Sequence, residues 1–377
     1  METCAYFGKC GGCQTPNLTY EEQLHMKMRR VIAALGRFGH VDEIVGMEHP
    51  LHYRTKIQAA FVRRGDGMLC GIYQSASGRV IPAPHCLMED EEALAIRRAA
   101  EKIARQLRLT VYSPRTGRGL LRHVMVRVSR ATGQAMAVLV TGPAPFSRAA
   151  EFAEMMRASC PRLTTLVRCV NDTQIPLWIG GEPEVLFGPG YMEERIGPCT
   201  FAVSPRAFLQ VNPTQTEKLY ALALEGAALR GRETVIDAYC GVGTLSILAA
   251  RQAREVIGVE QNEDAVADAA ANAARNGITN ARFVAGDAGE FMTARARAGE
   301  RADVVLLDPP RAGCSREFLS ALLRLAPRRA VYVSCNPDTL ARDLRTLTKG
   351  GYRAARISPV DMFPYTTHVE TVCCLYH

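Results

Sequence analysis

The sequence Val333-Ser334-Cys335-Asn336-Pro337 puts a thiol where an apolar run gives way to a turn stiffened by proline. A cysteine held there is placed for covalent catalysis, although a strand cysteine on its own is more often a small hydrophobe. A second candidate is Glu370, at the start of the last apolar run in Asp361-Met362-Phe363-Pro364-Tyr365-Thr366-Thr367-His368-Val369-Glu370, as a general base with His368 as its rival. A third is Asp308 in Asp308-Pro309-Pro310-Arg311, where two prolines remove backbone donors and fix the aspartate at the end of an apolar run. Cys240-Gly241-Val242-Gly243-Thr244 is a G-x-G at a strand-to-helix turn, but Ser246 stands where a dinucleotide fingerprint wants Gly or Ala. Glu260 follows Asp237 by 23 residues, the spacing of a carboxylate that accepts from a ribose diol. A nucleoside cofactor without a pyrophosphate fits these features, and S-adenosylmethionine is such a molecule. A separate group, Cys4, Cys10 and Cys13 in C-x5-C-G-G-C with Cys86 far downstream, suits either tetrahedral zinc or an iron–sulfur cluster. Spacing does not choose between them.

These residues need a scaffold, and the periodicity supplies one. From residue 201 onward, apolar strands at 234–239, 255–260, 281–285, 303–308 and 330–334 alternate with helical stretches, the first helix opening at Asn212-Pro213. That rhythm predicts an α/β, doubly wound, mostly parallel sheet whose ligands sit beyond the carboxyl ends of its strands. Runs at 354–359 and 369–376 are expected to close it as an antiparallel pair. Residues 1–200 read differently. A helix is predicted over 17–36, with Thr19 and Glu22 at capping-box spacing and Leu24, Met28, Val31, Ile32 and Leu35 as its apolar face. Short β-like runs at 56–62, 123–128, 134–141 and 184–187, with a helix at 90–107, then predict an α+β domain. The expected division is therefore 1–200 and 201–377.

Composition sets the outer limits. The 377 residues, 47% hydrophobic and 22% charged, exclude a disordered or fibrous architecture. Thirteen cysteines are too few for a disulfide scaffold; the start resembles no signal peptide and no apolar run reaches membrane length, so a reducing cytoplasm is expected. Residues 101–150 hold nine basic residues and one acidic, an excess equal to the +8 of the whole chain. A polyanion-binding face is the functional reading, and Arg54, Lys56, Arg122, His123, Arg127 and Arg130 are candidate phosphate contacts.

Methyltransferases acting on exocyclic amines carry an aromatic residue after D/N-P-P. Arg311 stands there instead, which leaves carbon as the acceptor. C5 of a pyrimidine becomes nucleophilic once a thiolate adds at C6, and the C5 proton must then be removed. That sequence of events needs a Cys335 and a Glu370.

Taken together, Ser204-Pro205-Arg206-Ala207-Phe208-Leu209-Gln210-Val211-Asn212, Asp237-Ala238-Tyr239-Cys240-Gly241, Gly258-Val259-Glu260, Asp308-Pro309-Pro310-Arg311, Ser334-Cys335-Asn336-Pro337 and the 361–370 segment resemble the RNA uracil-C5 methyltransferases. The resemblance implies a class I methyltransferase sheet, Cys335 as nucleophile, Glu370 as base, and cofactor contacts from Gln210, Tyr239, Glu260 and Asp308. Gln210 comes from the resemblance alone. The four cysteines resemble those of the family's ribosomal-RNA members, which implies a 4Fe–4S cluster on Cys4, Cys10, Cys13 and Cys86 and 23S ribosomal RNA as the partner. The family's N-terminal RNA-binding barrel is expected to be absent, because Cys4 stands almost at the start, and a monomer is expected. Cytosine-C5 methylation is disfavoured by Arg311, where those enzymes place a second cysteine. A non-catalytic iron–sulfur or RNA-binding scaffold is disfavoured by the intact Cys335 and Glu370.

Overall fold

The computed structural model describes residues 4–65, 67–74 and 77–377. The chain divides into two compact units, one comprising Met1–Asn17, His49–Arg195 and Ala202–Arg206, the other Leu18–Glu48, Ile196–Phe201 and Ala207–His377. The first helix, α1 (Tyr20–Leu35), belongs to the second unit, so the expected single boundary at residue 200 is not how the chain divides.

The first unit is a seven-stranded sheet with two helices. Its strands are β1 (Lys56–Arg64), β2 (Gly67–Tyr73), β3 (Val80–Ile81), β4 (Leu121–Val128), β5 (Ala135–Thr141), β6 (Leu163–Val170) and β7 (Glu184–Phe187). They lie in the order β3-β2-β1-β4-β5-β6-β7, antiparallel except for β5 with β6. Helices α2 (Glu91–Gln106) and α3 (Ala149–Ser159) bury Ile96, Ile103, Phe152 and Met156 against alternate residues of the strands, such as Val124, Val126 and Leu139. Asp90 caps α2 by accepting from the backbone N–H groups of Glu92 and Ala93. A hairpin of β8 (Met192–Ile196) and β9 (Cys199–Val203) follows.

The second unit alternates strands and helices as the periodicity requires: α4 (Pro213–Ala227), β10 (Thr234–Ala238), α5 (Thr244–Ala250), β11 (Glu255–Glu260), α6 (Glu263–Arg275), β12 (Ala281–Ala285), α7 (Ala288–Arg297), β13 (Val304–Leu307), α8 (Arg316–Leu325), β14 (Arg329–Ser334), α9 (Pro337–Lys349), β15 (Arg353–Val360) and β16 (Glu370–Tyr376). The order is β12-β11-β10-β13-β14-β16-β15, with β16 antiparallel to both of its neighbours. Strands covered on both faces read as continuous apolar runs, and every residue of β10 and β13 is buried. Strand order reverses at β10, whose partners are β11 and β13, and this topological switch point opens the crevice where doubly wound sheets bind ligands.

Two local readings need correction. The strand expected to reach Tyr239 stops at Ala238, because Tyr239 adopts φ +67° and turns the chain out of the sheet. In α1 both halves of the capping box form, but the buried stripe is Gln23, Lys27, Val31 and Leu35, while the predicted face residue Ile32 is 51% exposed. Polar groups are buried on this helix for a reason that appears only in the site.

Candidate active site

The carboxyl ends of β10, β11, β12, β13 and β14, the start of β16 and the segments leading into α4 and β16 build a cavity of about 790 Å3 in the second unit. Gln210, Tyr239, Glu260, Asp308, Cys335 and Glu370, all singled out in the sequence, line it together. On the side of Glu260 the backbone is brought in close. Gly258 and Gly243 are required by packing, since a Cβ on either would stand within about 3 Å of the Phe283 ring, whereas Gly241, at φ +54°, faces open space. The Glu260 carboxylate is held from both sides: one oxygen accepts from Gly241 N at 3.1 Å, the other from Asn262 N at 2.9 Å. Each oxygen keeps a lone pair for a further donor. Ser246 donates to Asp237 beneath the turn, so the residue that departs from the dinucleotide pattern has a structural partner.

The opposite wall carries the thiol. Cys335 follows β14, where Ser334 Oγ accepts from Asn336 N and donates to Asn336 O, and Asn336 caps α9 through Asp338 N with Pro337 at the first helical position. Ser334 pairs with Thr371 across the antiparallel β14–β16 ladder, so Cys335 leaves the sheet beside Glu370. Arg311 Nη1 lies 3.2 Å from His368 Nδ1 at the same wall. The electrostatics follow from crowding acids in a dry place. Burial pushes Asp308 up to about 7. Burial, with Asp308 adding to it and Arg311 opposing, pushes Glu370 up to about 8. Burial first, then Glu370 and Asp308, push the Cys335 thiol up to about 11 against Arg311. Acids pushed away from their ordinary values beside a thiol in a cleft are the signature of a chemical site.

The 361–369 loop that leads into Glu370 is clamped by α1, and periodicity gave no sign of this. Tyr20, Gln23, Lys27 and Arg30 share one face of the helix. The fully buried Lys27 ammonium donates to Asp361 Oδ1 at 2.6 Å and to Phe363 O at 2.9 Å. Tyr20 donates its hydroxyl proton to Asp361 Oδ2 at 2.8 Å. Gln23 Oε1 accepts from Tyr365 N, whose φ is +64°, and Arg30 donates to Thr367 O at 3.1 Å. Asn212 and Gln215 of the α4 start bind the carbonyls of Met362 and Asp361 from the other side. A lysine is seldom fully buried unless paired, so its type alone reads as surface. Phe208, 66% exposed at the cavity, was quoted within a motif but given no role.

The basic residues of the first unit are corrected. Arg127 and His123 are buried, and Arg130 is held by Asp90 at 2.8 Å and by His52 O. Arg122 donates to the carbonyls of Asn171 and Thr173, both at 2.7 Å, so Arg122 and Arg130 are engaged within their own unit and His123 and Arg127 lie inside it. Lys56 is half-buried, lowered to about 7 by burial and then by Arg127 and Arg54. Of the cysteine group, Cys13 is pushed up to about 12 by burial and, in order, by Cys86, Cys10 and Cys4, so the four share one neighbourhood. Gly12 N donates to Cys10 Sγ at 3.3 Å, and backbone N–H groups of Met88 and Glu89 favour the Cys86 thiolate. Among the described residues, no three His, Cys, Asp or Glu side chains stand close enough to hold a metal ion. The donor chemistry fits a thiolate-bound group; the spacing of the side chains as they stand does not yet close around one. Among the described residues no helix is long and apolar enough to cross a membrane.

The family model for tRNA (uracil-5-)-methyltransferase matches residues 198–377. An uncharacterized RNA methyltransferase of Halalkalibacterium halodurans is 42% identical over 377 residues, covering 99% of this chain and 82% of that protein. One from Caldanaerobacter subterraneus subsp. tengcongensis is 39% identical over 373 residues, covering 98% and 82%. Among solved structures, the Pyrococcus abyssi tRNA (uracil-54, C5)-methyltransferase in complex with S-adenosyl-L-homocysteine superposes with a TM-score of 0.81 at 26% identity, over 97% of this chain and 85% of that one.

Proposed function

Since this chain belongs to the RNA uracil-C5 methyltransferase family, whose members use S-adenosylmethionine on a class I sheet, we propose that it methylates C5 of a uridine in 23S ribosomal RNA through a covalent adduct on Cys335. The observation that carries the reading is the pairing of β14 with β16, which sets Cys335 beside Glu370 in one cavity with Asp308. S-adenosylmethionine supplies an electrophilic methyl group on a sulfonium, and Gln210, Tyr239, Glu260 and Asp308 are the residues that would hold it. Glu260 is poised for a ribose, with both oxygens already oriented by backbone donors.

The Cys335 thiol gives up its proton to solvent, the thiolate forms a bond to C6 of the flipped-out base, and the electron pair of the C5–C6 double bond moves to C5 and O4. Once C5 has gained the methyl group, Glu370 takes the C5 proton, the double bond re-forms, and the Cys335 sulfur leaves C6. Burial that raises Glu370 brings it near the working pH, where a general base is most effective. Arg311 opposes the raised values of both Cys335 and Glu370, and so favours their anionic forms. The α1 clamp fixes the loop that carries Phe363 and His368 up to Glu370.

Cys4, Cys10, Cys13 and Cys86 are the residues that would hold a 4Fe–4S cluster; methyl transfer consumes no electrons, so its part would be to tie the N-terminal segment to the rest of the first unit. The cysteine set supports ribosomal RNA, by its likeness to the ribosomal members of the family, and a cytoplasmic setting agrees with thirteen cysteines outside any disulfide. A transfer-RNA substrate is the second reading, favoured by the Pyrococcus neighbour's own substrate. Mass-spectrometric mapping of 5-methyluridine in ribosomal and transfer RNA from cells with and without the gene separates the two: loss of 5-methyluridine from 23S RNA is expected, and loss confined to transfer RNA would refute the ribosomal assignment. Protein purified without oxygen should carry about four irons per chain, and stoichiometric zinc would refute the cluster.

A further inference from the structure

Outside the methyltransferase site, the sheet of the first unit carries a cavity of about 550 Å3, inside the roughly 300–1,000 Å3 range of ligand pockets. The ends of β1 and β2, the start of β4 and the loops at 111–116 and 174–177 wall it. No Asp or Glu is among the described residues that line it, while Arg63, Arg115 and Arg122 are. Arg122 is fixed: its guanidinium lies over the Tyr112 ring at 4.6 Å and donates to Asn171 O and Thr173 O. Tyr112 is in turn pressed against Gly142, where a Cβ would come within 2.4 Å of the ring. The result is a rigid, flat, cationic platform. His123 forms part of the wall with Nε2 buried and without a hydrogen-bond partner among the described residues. Leaving such an atom unpaired is costly, which argues for a ligand that meets it.

We propose that this cavity binds one unpaired nucleotide of the substrate RNA, its base stacked on the Arg122 guanidinium and its polar edge met by His123. Single-stranded RNA is recognised by such stacking on aromatic and guanidinium planes with hydrogen bonds to base edges. Burial and the adjacent Arg122 push His123 down to about 3, so the ring is neutral and suits a base edge better than a phosphate. Arg63 and Arg115 supply the charge for the phosphates. The Asn171 side chain braces the facing loop, donating to the carbonyls of Ile175 and Trp178. The inference rests on the family's RNA substrate and not on which RNA it is.

The test measures binding of a single-stranded 12-nucleotide RNA with a central 2-aminopurine, and of its duplex, together with methylation of a 23S transcript. His123→Leu and Arg122→Met should each weaken single-strand binding about tenfold and raise KM for the transcript with kcat unchanged, while duplex binding barely moves. His123→Gln should restore most of the affinity. Unchanged single-strand affinity in His123→Leu, with a native circular-dichroism spectrum, would overturn the proposal, and so would equal loss on the duplex. Failure of the wild type to methylate the 23S transcript, with the oligonucleotide contrast intact, would overturn the ribosomal assignment and leave this pocket standing.

Discussion

Two buried carboxylates stand at the ends of the segment 361–370, and their surroundings are opposite. Asp361 meets a buried ammonium, a phenol hydroxyl and the α4 start; Glu370 meets another acid and a thiol, with Arg311 as its counter-charge. The first acid is neutralised in place and serves as an anchor. The second is buried beside another acid, and burial first, then Asp308, raise its pKa against Arg311. A single loop thus carries a fully paired acid at one end and an acid raised by burial at the other.

The comparison can be broken at several points. Cys335→Ala should lower methyl incorporation into RNA by at least about 10³-fold with an unchanged melting curve; activity near wild type would remove the thiol from the reaction. At the anchored end, Lys27→Met strands a buried carboxylate, and Asp361→Asn strands a buried ammonium. Each should cost about 3–5 kcal/mol in denaturant unfolding. The double variant Lys27→Met with Asp361→Leu should regain much of that stability but not kcat, because the loop has lost its register. Full recovery of kcat would reduce the pair to a stability element.

The smallest effects concern pH. A protonated Glu370 cannot accept the C5 proton, so kcat/KM at low cofactor should rise with pH toward about 8. Saturating S-adenosylmethionine should move that limb to lower pH, since a cation nearby favours both carboxylates. Stability should run the other way. Glu370 is raised from 4.5 to about 8, so the folded chain holds a proton the unfolded chain releases, and stability falls as pH rises through that window. Glu370→Gln should flatten this decline, and an unaltered slope would contradict the burial of a neutral carboxyl.

How much of this was legible in the sequence follows the same division. The cavity end was readable, because Cys335, Glu370, Asp308 and Glu260 each stand at the end or start of a strand whose apolar pattern is plain, and proline marks the turn beside Cys335 and Asp308. The anchoring end was not. Lys27 and Asp361 are 334 residues apart, and α1 looks amphipathic with Leu24, Met28, Val31, Ile32 and Leu35 on one face, so nothing local says that its polar residues go inside. Gln210 precedes a helix cap and carries no spacing signal; the family resemblance supplied it. The charge of 101–150 was legible as a sum but not as a surface, since Arg127 is buried and Arg122 and Arg130 bind carbonyls or an acid within their own unit.

The central claim is that Cys335 bonds to the base and Glu370 releases it. The direct measurement is mass spectrometry of the nuclease-trimmed, protease-digested complex of Glu370→Gln with S-adenosylmethionine and 23S transcript. The account predicts a methylated uridine adduct on the Cys335 peptide that survives denaturation. An adduct on another residue, or steady turnover of Glu370→Gln with no adduct, would contradict it.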